Sequence, residues 1–179
     1  MDQNRNTSAD FAQNEIRFTW LAGNSAYSEE LAGFFEENVD EKYISHGEVA
    51  EGRADSFTEW KKNLREVLEA EFKEILSATP GSSIYSRICI CSLNNKLAGM
   101  ALIAFREETK VAVIEDIIIG GEFRKRKLGS LFLEWIEKEI SLKAMSFIML
   151  ESGINNKRAH NFFHGNGYQQ ASVVMVKKL

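Results

Sequence analysis

The sequence predicts an α/β (α+β) chain with the element order β-α-α-β-β-β-α-β-α-β. Three observations predict it. The hydrophobic period changes from helical to two at residue 84 and stays at two until residue 119, broken only by two short polar turns, which reads as an antiparallel meander. Two helical patterns precede the meander. A basic loop and a strongly amphipathic helix follow it, and then a further strand, a short helix and a last apolar run.

Taken in order, residues 1 to 14 are polar and aperiodic and read as a flexible tail, which leaves 15 to 179 as a single domain. Ile16 to Trp20 is a short strand. Tyr27, Leu31, Phe34 and Phe35 recur at helical spacing, with Ser25 or Ser28 as the cap, and give a first helix to about Asn38. Residues 40 to 55 read as an acidic loop. Phe57, Trp60, Leu64, Val67, Leu68, Phe72, Ile75 and Leu76 mark one face of a long second helix, stopped by Thr79-Pro80-Gly81. Ile84 to Leu93, Leu97 to Phe105 and Val111 to Ile119 are the meander strands, joined at Asn94-Asn95 and at 106 to 110. Leu128, Leu131, Phe132, Trp135, Ile136 and Ile140 share a helical face. Ser146 to Leu150 is another strand, Asn155 or Asn156 caps a helix ending near His164, and Tyr168 to Lys178 is a last strand or hairpin.

The chain centres on residues 111 to 135. A β-branched strand, Val111 to Ile119, runs through Gly120-Gly121 into Arg124, Lys125, Arg126 and Lys127 and then directly into a helix. A helix N-terminus presents unpaired N–H groups and the positive end of the dipole, so this turn suits a phosphate. The net charge of −4 over 179 residues argues against general nucleic-acid binding. No apolar run approaches the roughly 20 residues that span a bilayer, and residues 1 to 14 lack an apolar signal core, so the expectation is a cytoplasmic protein. Cys89 and Cys91 share a strand face two residues apart, where disulfide geometry is poor, and read as packing residues. His46, His160 and His164 form no metal-ligand spacing, so no metal site is expected.

Two motifs carry a resemblance. IEDIIIGGEFRKRKLGSLFL resembles the strand-four, pyrophosphate-loop and helix-three segment of the GNAT superfamily of acyl-CoA-dependent N-acetyltransferases, with Arg124-Lys125-Arg126-Lys127-Leu128-Gly129 as the loop. NNKRAHNFFHGNGY resembles that superfamily's second motif, with Asn156, Ala159, Phe162, Phe163, Gly167 and Tyr168 in place. The resemblance covers residues 84 to 179 at motif level and the whole chain in element order. It implies a mixed, mostly antiparallel central sheet flanked by helices, acetyl-CoA as cosubstrate, a small-molecule amine as acceptor, direct attack in a ternary complex, and a homodimer.

The resemblance also implies residue roles. Ile117, Ile118 and Ile119 lie beside the pantetheine arm, and a main-chain N–H there stabilises the oxyanion. Arg124, Lys125, Arg126, Lys127, Leu128, Gly129 and Ser130 hold the pyrophosphate. Glu115 and Asp116 are consecutive on a strand and face opposite sides, so one enters the acceptor cleft. By analogy Glu115, in the alternation set of Val113 and Ile117, is the base or an acceptor ligand, or else a structural carboxylate. Asn156 contacts the pantetheine or the active-site water, or is a plain N-cap. The acidic excess of 40 to 55 suggests a cationic acceptor. Two positions depart from the family: Lys127 replaces a Gly, and Phe163 replaces a Tyr that protonates the leaving thiolate. Phe163 keeps open a non-catalytic acyl-CoA-binding module. A protein or peptide N-acetyltransferase is the third reading.

Overall fold

The computed structural model describes residues 15–78 and 81–178. The tail expected for 1 to 14 and the Thr79-Pro80 breaker lie outside the described residues. A five-stranded sheet runs in the order β1 (Ile16–Trp20), β4 (Ile84–Leu93), β5 (Lys96–Arg106), β6 (Val111–Ile119) and β7 (Phe147–Leu150). Every neighbouring pair is antiparallel except β6 and β7. The helices α1 (Ser28–Asn38), α3 (Leu64–Ser77), α4 (Leu128–Ser141) and α5 (Lys157–Gly165) flank it, joined by α2 (His46–Ala50) and a small hairpin, β2 (Ala54–Ser56) and β3 (Glu59–Trp60).

The strands are buried on alternate faces, and each face has its own core. On one, α1 and α3 bring Leu31, Phe35, Leu68 and Phe72 against Ile88, Met100, Leu102 and Ile118. On the other, α4 and α5 bring Phe132, Ile136, Ile140 and Phe163 against Cys89, Ala101, Ile103, Phe105 and Ile114. Phe18 of the edge strand stacks on Phe132 at 5.5 Å and on Trp135 at 5.6 Å, pairs of the kind that add about 0.5–1.5 kcal/mol beyond burial. Cys89 and Cys91 are free and buried in this second core, and burial pushes the Cys91 thiol up to about 12.

One irregularity decides where the site residues point. The β5–β6 register pairs Leu102 with Asp116 but Ile103 with Ile114, so Glu115 is an extra residue in β6. Such a bulge breaks the period of two. Ile114 and Ile117, three apart, pack on the same core. The alternation set of Val113, Glu115 and Ile117 expected from sequence is therefore interrupted at Glu115.

Five expectations are corrected. Residues 40 to 55 are not a plain loop: Ser45 and Glu48 form a capping box that nucleates α2. The second helix begins at Leu64, because Trp60 belongs to β3 and Phe57 is exposed. Neither Ser25 nor Ser28 caps the first helix. Asn24 caps a 3-10 turn over Ser25–Tyr27, and α1 starts from Tyr27 without a side-chain cap. Residues 168 to 178 form no strand. On α4, Leu133 is buried where Leu131 was expected, since Leu131 lies outside the Leu128, Phe132, Ile136, Ile140 row.

Candidate active site

β6 and β7 pair only from Val111↔Phe147 to Ile114↔Leu150. Beyond that point β7 ends and β6 continues to Ile119, so the strands part and the edge of residues 115 to 119 that faces away from β5 is left without a strand partner. A cavity of about 580 Å³ opens in the gap. Glu115, Ile117, Ile118 and Ile119 line it, and so do Arg124, Lys125, Lys127, Leu128, Gly129, Ser130 and Asn156. Of the residues expected in the site, only Arg126 does not.

The basic end is built by the turn into α4. Lys125 and Lys127 both have positive φ, 63° and 61°, and Lys127 is the N-cap of α4 without a side-chain cap bond. The first-turn N–H groups of Leu128, Gly129 and Ser130 thus stay available to an anion. The left-handed φ also shows why a glycine suits this position. Arg124 has another task. Its guanidinium donates to the Ile119 carbonyl at 2.8 Å and the Asn38 carbonyl at 2.7 Å, while Gly121 N–H donates to Asn38 Oδ1 at 2.8 Å. These bonds tie the C-terminus of α1 to the turn. Burial and the cation of Arg158 push the Arg124 pKa down.

The opposite end is acidic. Glu48, Glu115 and Glu151 line the same cavity, together with Tyr43 and Ser152. Burial, then the charges of Glu51 and Asp116, push the Glu115 carboxyl up to about 7. Asp116 does not enter the cavity. It is buried on the other face, where Tyr43 Oη donates to it at 2.8 Å and Arg53 Nη1 at 3.0 Å. Arg53 is 1% exposed and also donates to Glu71, through Nε at 2.9 Å and Nη2 at 2.5 Å. Burial opposes its charge, but Asp116 and Glu71 outweigh that and its pKa is raised. Glu151 follows β7 directly and clamps α2: Gly47 N–H donates to it at 2.9 Å, Ser45 Oγ donates to it, and His46 Nδ1 lies 3.0 Å away.

Asn156 caps α5, its Oδ1 accepting from Ala159 N–H at 3.2 Å, as the N-cap reading expected, and it also lines the cavity. Phe163 is buried against Phe162 and Tyr168, at 5.2 and 5.5 Å between ring centres, and lines the wall where it has no proton to give. His160, His164 and Tyr168 are not among the lining residues. Sequence reasoning missed Tyr43, Glu151 and Ser152. Glu48 fell only within the acidic stretch of residues 40 to 55, although the Ser45-x-x-Glu48 box was a readable signal. Among the described residues no group of three His, Cys, Asp or Glu is placed to hold a metal ion, and no helix is long and apolar enough to cross a membrane.

The site is thus a cleft in a splayed mixed sheet beside a basic helix N-terminus. The model of the acetyltransferase (GNAT) family matches residues 48–168, and the chain belongs to that family. Aminoalkylphosphonate N-acetyltransferase of Salmonella typhimurium is 28% identical over 69 residues, which are 38% of this chain and 45% of that protein, so the match spans under half of the relative. The aminoglycoside N-acetyltransferase AAC(6')-Iy, solved with the bisubstrate analogue CoA-S-monomethyl-acetylneamine, aligns with a TM-score of 0.64 at 13% identity, covering 92% of this chain and 98% of that one. The ribosomal-protein-S18-alanine N-acetyltransferase of Escherichia coli aligns with a TM-score of 0.57 at 17% identity, covering 88% and 80%. At these identities the structural likeness is one of fold.

Proposed function

We propose that this protein moves the acetyl group of acetyl-CoA to a primary amine of a small, cationic molecule by direct attack in a ternary complex. The observation that carries the reading is a single cavity with opposite charge at its two ends. The residues fit the cosubstrate. Uncapped N–H groups of Leu128, Gly129 and Ser130, with Lys125 and Lys127, hold the pyrophosphate. The unpaired edge of Ile117 and Ile118 takes the pantetheine and steadies charge building on the thioester oxygen. The Ile119 carbonyl is already engaged by Arg124, so its part is to fix the turn. Asn156 closes the wall from α5.

At the acidic end, Glu48 and Glu151 attract the cation and Glu115 takes its proton. A carboxyl poised near pH 7 is matched to that work, because about half of it is ionised at neutral pH and it is still basic enough to accept a proton. No thiol nucleophile is available: Cys89 and Cys91 are buried in the core with pKa values pushed up by burial. Phe163 leaves the departing thiolate to take its proton from solvent. The test is a steady-state assay with acetyl-CoA against polyamines, amino sugars, aminoglycosides, an aminoalkylphosphonate and peptides with a free N-terminus. Turnover of small cations with intersecting double-reciprocal lines is expected. Parallel lines would overturn direct attack, and turnover of peptides alone would overturn the small-molecule acceptor.

A further inference from the structure

Glu115 is held by little of its own. The bulge leaves it without a register partner on β5, and β7 stops pairing at Ile114, so it has none on that side either. Among the described residues no hydrogen bond or ion pair fixes its carboxylate. A bulge re-aims side chains, and a carboxyl that must meet an amine at about 3 Å cannot be aimed loosely. The next residue is the opposite case. Both oxygens of Asp116 are engaged, Oδ1 by Tyr43 and Oδ2 by Arg53, and its side chain is fully buried. Arg53 is fixed in turn. Glu71 on α3 accepts from its Nε and Nη2, Glu51 Oε2 lies 3.6 Å from Nε, and the Phe35 ring centre lies 5.8 Å from the guanidinium carbon. Its main chain is bonded too: its N–H donates to the Glu48 carbonyl at 2.8 Å, and its carbonyl accepts from Lys61 N–H at 3.1 Å.

We infer that Arg53 is a positioning residue for acetyl transfer, one that fixes the direction in which Glu115 enters the cavity by anchoring Asp116 on the other face of β6. The inference rests on Glu115 as the base. Consecutive strand residues share one stretch of main chain, so a side chain pinned on one face sets where its neighbour points. At the bulge the ladder no longer does this, and the Asp116 anchor takes its place. Arginine suits the task because its planar fork bonds two carboxylates at once in fixed geometry, which an ammonium on a flexible stem does not. Tyr43 gives Asp116 its second bond and also lines the acceptor end, so the same anchor reaches the cavity wall. The charge of Arg53 works in the same sense. On the elements packed about Glu115 the charged and titratable groups are Tyr43, His46, Glu48 and Glu51 in and beside α2, Glu71 on α3, Asp116 on β6 and Glu151 after β7. Arg124, Lys125, Lys127 and Arg158 belong to the opposite, basic end. Burial, Glu51, Asp116 and Glu71 push the Glu115 carboxyl up, and Arg53 opposes them.

A double-mutant cycle on the whole protein tests this, with acetyl-CoA and the fastest amine of the acceptor panel. Arg53→Lys keeps the charge and loses the fork. It should lower kcat by about 10- to 100-fold, as a misplaced group does, while the KM for acetyl-CoA changes by less than about threefold. The rising limb of its pH profile should stay near 7. On the Glu115→Gln background the same change should lower kcat by less than about threefold, because no base is left to aim. Arg53→Met loses the charge as well and should move the limb to higher pH. Tyr43→Phe serves where Arg53→Met fails to fold. It keeps the ring on Phe35 and Trp60 and removes one bond to Asp116, so kcat should fall by about threefold or more, again only with Glu115 in place. Melting curves and calorimetric acetyl-CoA binding establish that each variant is folded. Losses that multiply across the cycle would overturn the inference, as would an Arg53→Lys enzyme that keeps its kcat. A Glu115→Gln enzyme that keeps both its kcat and the pH limb would overturn the base itself and this inference with it, so that single variant tells the two failures apart.

Discussion

Glu115 sits where β6 carries one residue more than β5 opposite it, and its surroundings raise its carboxyl to about 7. Two measurable consequences follow. In catalysis, kcat/KM should rise with pH through about 7, and Glu115→Gln should remove that limb while lowering kcat by about 10²- to 10⁴-fold. In stability the sign is opposite. A carboxyl whose folded pKa lies above its unfolded value is penalised once ionised. The penalty is absent below the unfolded value, grows as pH rises toward 7, and is complete above it. Glu115→Gln should therefore raise the melting temperature at pH 8 and hardly change it at pH 4.5. Arg53 is the other residue on which much depends. Arg53→Met would strand three carboxylates, one of them fully buried, and should cost about 3–5 kcal/mol in urea unfolding, as breaking one side of a buried pair does. Phe163→Tyr should raise kcat with little change in KM, by up to about 10²-fold, if proton delivery to the thiolate limits the rate.

Among the elements, the turn into α4 was legible in sequence because its chemistry is local: four consecutive basic residues between a β-branched run and a helical row. The meander was legible for the same reason, since period and turn residues lie within one window. α2 was not, because five residues carry no period, and only its capping box marks it. Phe57 and Trp60 were misread because two aromatics fell by chance on the helical row of α3, while tertiary packing drew Trp60 onto Phe35 and Tyr43. Nor could the Arg53 node be foreseen, since its partners come from α3 and β6, far off in the chain. Two substitutions test the elements that wall the site. Lys127→Gly relieves a left-handed side chain, worth about 1–2 kcal/mol, but loosens the unfolded chain in exchange. Stability should change by less than about 1 kcal/mol and acetyl-CoA affinity by less than about tenfold, because the N–H remains. Gly153→Ala should do harm, since a Cβ there would stand 2.4 Å from the Lys42 carbonyl oxygen and 2.5 Å from that of Ile44. The loop before α2 must move away, and the KM for the acceptor should rise more than that for acetyl-CoA.

For the molecule as a whole, ligand binding and folding are linked. Acetyl-CoA at about 100 times its Kd should add about 2.7 kcal/mol of stability, a rise in melting temperature of roughly 5–10 °C for a chain of this size. Lys125→Glu should shrink that rise, because it reverses a charge on the cavity wall and leaves the turn's main chain in place. Arg124→Glu is the poorer test, since it also releases the bonds that join α1 to β6.

The position of β1 at the sheet's edge has a consequence in time. β4, β5 and β6 join neighbour to neighbour through short turns and can zip early, whereas β1 reaches β4 only after α1, the α2 region and α3 have been gathered between them. Closing that long loop is entropically costly before the meander exists to receive it. β1 should therefore dock on the native side of the folding barrier. In stopped-flow chevrons Phe18→Leu should speed unfolding and leave the refolding limb nearly unmoved, a φ-value near zero, while Ile103→Val in the meander should slow refolding.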